Sequence, residues 1–478
     1  MDPHFLDTLA ARWRPMALAL AAALVLGPTP VLRPLAAYFA GATRALAGGR
    51  PAAAVGWLEA ALRLDPHLVQ LHPVIAAAAL SADDPHDALD HLEMADRLLP
   101  GDPARTCLRG MALQDAGDPA AALGAWEAEP EACLQRADIL LRAARSALSL
   151  DDAERYRGFL QSLAALLPAD AGVQLDLGTA VAAADPAAGL PILRQARRLA
   201  QRRDPLADDL IQTILEAQVQ GPPAFVLARV GQTLARHGRW QPAAWALQRA
   251  VELEPGYVEA QAYLGLALDR SGGNGQSWLQ AAVVAAPNAA LPRTFLGYHW
   301  QERGRLDLAL EAFLLAARLE PGNPAIAAEL GGLYEAQGDL VSAKAAYRTA
   351  ASLAPQDASF WTLLAEFSLR NEIEVEALGL PAARNAAALA SDQAAALEAL
   401  GYAYYLVGDF RMAERFLVRA LEIDPLRPET QLRFGLVRQA QGDLPGARAA
   451  LLLATRLDPH GPVGETAARL LRAFDRGT

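Results

Sequence analysis

An ending that returns every 34 residues limits this chain to one kind of architecture. It reads ALRLDP at 61–66, AVELEP at 250–255, AARLEP at 316–321, AASLAP at 350–355, ALEIDP at 420–425 and ATRLDP at 454–459. Pro321 to Pro355, like Pro425 to Pro459, spans 34 residues. A period of this size means small units that bury their apolar faces against one another, not one closed core. Such an array escapes the limit on single cores, which stop growing well short of the 478 residues here. Within a unit, two helical patterns flank a short turn, as from Ala327 to Pro355. Gly338 is expected to end the first helix in a left-handed conformation, and Asp339 to cap the amides of the second. Gly117-Asp118, Gly408-Asp409 and Gly442-Asp443 repeat the pair. Much of the 53% hydrophobic share is alanine, which loses no side-chain entropy in a helix, so tightly packed helices are expected throughout.

The small and large positions fall in register within single units. Leu330, Gly331 and Tyr334 stand in one first helix, Ala343, Tyr347 and Ala350 in its second, and Pro355 closes the unit. Leu400, Gly401, Tyr404, Ala413, Leu417, Ala420 and Pro425 repeat that pattern in full. In these residues the chain resembles the tetratricopeptide repeat family, and with its signal-anchor-like start it is similar to bacterial members. The resemblance implies an all-α solenoid of tetratricopeptide-type helical hairpins, a right-handed superhelix of about eleven to twelve repeats. Gly331 and Ala343 would let paired helices approach closely while Tyr347 fills the gap to the next unit.

Five domains are expected. Residues 1–34 form a signal-anchor-like segment, 35–205 a degenerate array, 206–223 an irregular connector ending in Gly221-Pro222-Pro223, 224–459 a consensus-like array, and 460–478 a capping helix and tail. Two units depart from the period: 258–287 is short, with a glycine-rich turn at Ser271–Gly275, and 358–391 carries extra residues around Glu374 to Pro381.

At the N-terminus, Arg12 and Arg14 precede an uncharged run from Pro15 through Leu32. Its apolar core, Met16 to Gly27, is shorter than the roughly 20 residues of a bilayer span, and Pro28 and Pro30 disfavour helix beyond it. No small-x-small cleavage site follows. An uncleaved anchor is therefore expected, attaching the chain to a membrane through residues 16–32 with the repeats extracytoplasmic; a secreted or cytoplasmic chain is the alternative. Cys107 and Cys133 are too few for a disulfide scaffold and lack zinc-site spacing, though they lie near helix ends that should meet and could bridge in an oxidising compartment.

The net charge of −11 argues against nucleic acid, whose binding draws on Lys and Arg. His67, His72, His86 and His91 fall in one repeat beside Asp83, Asp84, Asp87 and Asp90. Neither histidine pair has the four-residue separation that puts two imidazoles on one helix face, although Asp87 and His91 do. Asp84 before Pro85 reads as a helix cap, so no metal or cofactor is expected. Ser271–Gly275 lacks the Gly-Lys-Ser/Thr of a phosphate loop. Arg194, Arg198 and Arg202 read as a solvated helix face. No catalytic constellation is evident and no enzymatic activity is expected.

The family resemblance implies a binding surface on the inner helices, at Tyr298, Glu366, Tyr402, Tyr405 and Leu436. Family members that grip a C-terminal carboxylate use lysine, arginine and asparagine there, a set these positions lack. The expected function is a membrane-tethered scaffold or adaptor for a peptide or protein partner. A soluble or secreted scaffold working through its convex surface is the alternative, and an enzyme comes third.

Overall fold

The computed structural model describes residues 32–476, and among them every regular element is helical. The chain divides into two compact units, Met1–Pro255 and Gly256–Thr478. Among the described residues, six helical hairpins lie in each. The first unit pairs Leu32–Ala47 with Pro51–Leu64, Leu71–Ser81 with Pro85–Leu98, Pro103–Asp115 with Pro119–Ala128, Ala137–Ser149 with Ala153–Leu166, Ala171–Ala182 with Pro186–Leu199, and Pro223–Arg236 with Trp240–Leu253. The second pairs Val258–Arg270 with Gln276–Ala285, Ala290–Glu302 with Leu306–Leu319, Pro324–Ala336 with Leu340–Leu353, Ala358–Arg370 with Leu380–Leu389, Ala394–Leu406 with Phe410–Ile423, and Pro428–Ala440 with Leu444–Leu457. The expected hairpin solenoid is the fold. Among the described residues no helix is long and apolar enough to cross a membrane. The apolar run at 15–32, expected to be an anchor, lies outside the described residues apart from Leu32.

The turn chemistry is as the Gly-Asp pairs require. Gly338 has φ 79°, and the Asp339 carboxylate accepts the Ser342 amide at 3.0 Å. Gly408 has φ 83°, and Asp409 accepts from Met412 at 3.0 Å. Hairpins close tightly because a glycine in the first helix faces a large side chain in the second. A Cβ on Gly331 would stand 2.8 Å from the Tyr347 ring, and one on Gly297 2.6 Å from that of Phe313. Gly110 lies likewise against Trp126, which is fully buried and donates its indole N–H to the Cys107 carbonyl at 3.1 Å.

The irregular segments have local physical causes. In the short unit 258–287, Gly275 passes so close to helix residue Gly265 that no side chain fits at either, and Gly272 in the same turn takes φ 90°. The extra residues in the unit 358–391 are absorbed by a π-helical turn, Val375–Gly379, entered through Glu372 and Glu374 at positive φ. The disulfide Cys107–Cys133 is formed, with Cα atoms 5.3 Å apart and both residues buried. The expectation that Cys133 lies near the end of the antiparallel partner helix is corrected: that helix ends at Ala128, and Cys133 belongs to a separate single turn, Pro130–Cys133.

Residues 206–223 hold a regular helix, Pro205–Gln220, rather than an irregular connector. It packs between Pro186–Leu199 and Pro223–Arg236. One unpaired helix in an array of pairs exchanges the two layers: the second helix Trp240–Leu253 now neighbours the first helix Ala171–Ala182. Arg239 pairs with Asp176 at 3.4 Å, the Trp245 indole donates to Asp151 at 2.5 Å, and Trp245 lies 5.6 Å from Tyr156. The division into compact units follows Pro255, later in the chain than 206–223. At the C-terminus, helix Pro462–Arg476 buries Ala467 and packs Leu470 and Leu471 onto Leu451 and Ala454, with Glu465, Arg469 and Arg472 exposed.

Candidate partner-binding surface

In the second unit, three successive first helices, Ala358–Arg370, Ala394–Leu406 and Pro428–Ala440, meet around one side chain, Arg433. Its guanidinium makes a bidentate pair with Glu366, at 2.8 and 2.7 Å, and a further ion pair with Glu398 at 3.0 Å. The same group lies 4.4 Å over the Tyr402 ring. Glu398, only 2% exposed, also accepts from the Thr430 hydroxyl at 2.9 Å and from Arg427 at 2.5 Å. A buried carboxylate is tolerable when paired and hydrogen-bonded in this way. Burial pushes the Glu366 carboxyl up, but the hydrogen bonds and charge of Arg433 outweigh it and hold the group below the ordinary carboxylate range. Burial pushes the Tyr402 hydroxyl up.

Tyr405 stacks on Tyr402 with ring centroids 5.8 Å apart and planes 11° from parallel, and touches Phe410 at 5.9 Å. Both tyrosines are half-buried. Tyr404, between them in sequence, points to the other side: it stacks on Phe416 and accepts from Arg384 at 3.2 Å. Leu436 is half-buried, three residues after Arg433 on the same helix. Tyr298 stands apart, on Ala290–Glu302, edge-on to Phe313 at 5.2 Å. Burial first, and Glu329 second, push its hydroxyl up to about 12. Glu366, Tyr402 and Tyr405 therefore share one constellation, Leu436 follows it, and Tyr298 belongs to an earlier hairpin. Arg433 and Glu398, which organise the group, were not anticipated. Arg433 and Leu436 do share a helix face by their spacing, and that was the one available signal.

The histidine-rich repeat sorts itself by exposure. His67 and His86 are exposed, whereas His72 is buried and meets His91 with the two Nδ1 atoms 2.9 Å apart. Asp84 caps its helix by accepting from the Asp87 amide at 3.1 Å. Glu59, Asp87 and His91 bring ligand-type atoms within 4.8 Å of one another. The arginines Arg194, Arg198 and Arg202 are exposed.

Residues 301–367 and 394–425 match models of the tetratricopeptide repeat, the second match coinciding with hairpin Ala394–Ile423. None of the curated proteins matches the chain. Among solved structures, a chain of the APC/C hetero-tetramer Cut9-Hcn1 is similar over 95% of this chain and 98% of its own, at 15% identity and TM-score 0.44. Yeast Tom70 is similar over 93% and 96%, at 15% identity and TM-score 0.40. MamA matches 36% of this chain and 92% of its own, at 20% identity and TM-score 0.31. At TM-scores below 0.5 these likenesses say nothing about function.

Proposed function

We propose that this chain is a protein-interaction scaffold whose tetratricopeptide repeats hold a peptide or protein partner along the first helices of the second unit. The proposal includes a tether through residues 16–32 and repeats on the extracytoplasmic side of a membrane. The observation that carries the binding reading is the Tyr402–Tyr405 stack beside Arg433, drawn together by two consecutive repeats. Tyrosine and arginine supply much of the energy at protein interfaces, and a stacked pair offers rigid apolar area at little entropic cost. Arg433 already satisfies two carboxylates, so an acidic chain end would have to displace them; this surface favours a partner read through aromatic contact. The buried Cys107–Cys133 bridge supports the oxidising side of a membrane, where disulfides persist.

Capture of partners from native membranes tests the surface. The double variant Tyr402→Ala/Tyr405→Ala is expected to lose capture while keeping its helical circular dichroism. Capture retained by a folded double variant removes these tyrosines from the interface. A variant that no longer folds assigns them to packing instead. Fractionation with and without detergent tests the tether, and a chain recovered without detergent contradicts it.

A further inference from the structure

We propose that Glu59, Asp87 and His91 form a binding site for a divalent transition-metal ion of the zinc class, with His72 holding His91 from behind. Three helices of two adjacent hairpins converge there. Glu59 comes from Pro51–Leu64, Asp87 and His91 from Pro85–Leu98, and His72 from Leu71–Ser81. Asp87 and His91 share a helix face by their four-residue spacing. Glu59 completes the set from the preceding hairpin.

The distances favour a shared ion over direct pairing. His91 Nε2 lies 3.6 Å from an Asp87 oxygen and 3.9 Å from a Glu59 oxygen. Both exceed a normal hydrogen bond. With metal–ligand bonds of about 2.1 Å, ligand atoms around one ion stand between about 3.4 Å, at the tetrahedral angle, and about 4.2 Å, directly opposed. Both separations from His91 fall inside that window, and the ligand atoms of Glu59 and Asp87 stand within 4.8 Å of each other. The other ring nitrogen is also engaged: His91 Nδ1 is 2.9 Å from His72 Nδ1, so one ring gives a proton and the other a lone pair. With His91 as the donor, this contact fixes the imidazole's orientation and leaves Nε2 to bind the metal; with His72 as the donor, the Nε2–H of His91 faces the two carboxylates instead. A neutral His91 that donates from Nδ1 otherwise directs the Nε2 lone pair at two carboxylates, an arrangement that calls for positive charge between them. The His91 side chain is 13% exposed, while those of Glu59 and Asp87 are 35% and 29% exposed, so an ion has a path in and room for a water as a further ligand. One imidazole with two carboxylates suits zinc-class ions better than magnesium or calcium, which prefer oxygen alone. The bound ion would tie the hairpin Leu32–Leu64 to the hairpin Leu71–Leu98.

The competing occupant is a proton on His91, and titration separates the two. Untagged full-length protein, stripped with chelator, is titrated with zinc and, separately, with cobalt(II). One equivalent is expected to bind, with a visible cobalt absorption band and a rise in melting temperature. His91→Ala and Asp87→Asn should each abolish the band and the thermal shift while leaving helicity unchanged. His72→Ala should keep one equivalent but bind about 10- to 100-fold more weakly. The site is overturned if wild-type protein takes up neither metal, which leaves the proton as occupant. Uptake undiminished in a folded His91→Ala or Asp87→Asn variant also overturns it, because the metal then sits elsewhere.

Discussion

At Gly331 one helix backbone rests on the Tyr347 ring of its partner, and both residues lie within a single repeat. That closeness made the contact legible from spacing alone. Gly331→Leu is expected to destabilise the array by about 1 to 3 kcal/mol through overpacking, and Ala343→Arg by more, since it buries a charge at a fully buried position. Calorimetric melting checks both, and unchanged transitions would contradict the register. The Glu366–Arg433 pair was not legible, because 67 residues and an intervening repeat separate its members. A periodic reading relates neighbours and gives no sign of a long side chain reaching past one. Glu366 was placed at the surface, but what it faces was not. Removing Arg433 should be costly: Arg433→Met leaves Glu366 and the buried Glu398 without their shared cation, a loss of about 3 to 5 kcal/mol at neutral pH. The pH dependence follows from Glu366. Its folded pKa is depressed, so its contribution is complete above the unfolded value and disappears as pH falls through the folded one. The stability gap between wild type and Arg433→Met should therefore narrow on acidification below the ordinary carboxylate range. Urea unfolding at neutral and acid pH measures it, and a constant gap contradicts the assignment.

Helix boundaries followed from caps and glycines, whereas the departures from the period were visible as places but not as shapes. The extra residues near Glu374 could have made a loop. Instead, the π turn Val375–Gly379 keeps the backbone hydrogen-bonded, and buried Gly379 fits where a Cβ would stand 2.6 Å from the Ser368 hydroxyl. Residues 206–223 lost the period because an odd helix was inserted, and only tertiary packing reveals that Trp240–Leu253 thereby turns toward Ala171–Ala182. The Cys107–Cys133 link is the third such element. Helix Pro119–Ala128 is short, and the bridge fastens the turn Pro130–Cys133 that replaces its missing end. Closing a loop with a sequence separation of 26 restricts the unfolded chain by about 3.5 kcal/mol on the loop-entropy account. The Cys107→Ser/Cys133→Ser variant should therefore unfold at lower denaturant than the oxidised protein, and reductant should lower wild type to match it. Two freely labelled thiols in native protein without reductant would contradict the bridge.

Over the whole molecule, the quantity that sequence conveys best is the repeat itself, because each hairpin depends mainly on its immediate neighbours. Repeat models match residues 301–367 and 394–425 in the second unit, while the first unit carries the odd helix and the disulfide. The same one-dimensional logic governs what happens when the chain is cut. In a solenoid, stability is close to a sum of hairpin terms and nearest-neighbour terms, so a cut between compact units removes few of them. The second unit contains six complete hairpins and ends in a helix, Pro462–Arg476, whose polar side is exposed. Residues 256–478 expressed alone should accordingly be monodisperse, helical by circular dichroism and cooperative in melting. The fragment also contains Glu366, Tyr402, Tyr405, Arg433 and Leu436, so it should retain partner capture, whereas the zinc-class site, built from residues of the first unit, should be absent from it. A fragment that folds but captures nothing would place the partner's contacts in the first unit; one that fails to fold would show that stability is shared across residue 255.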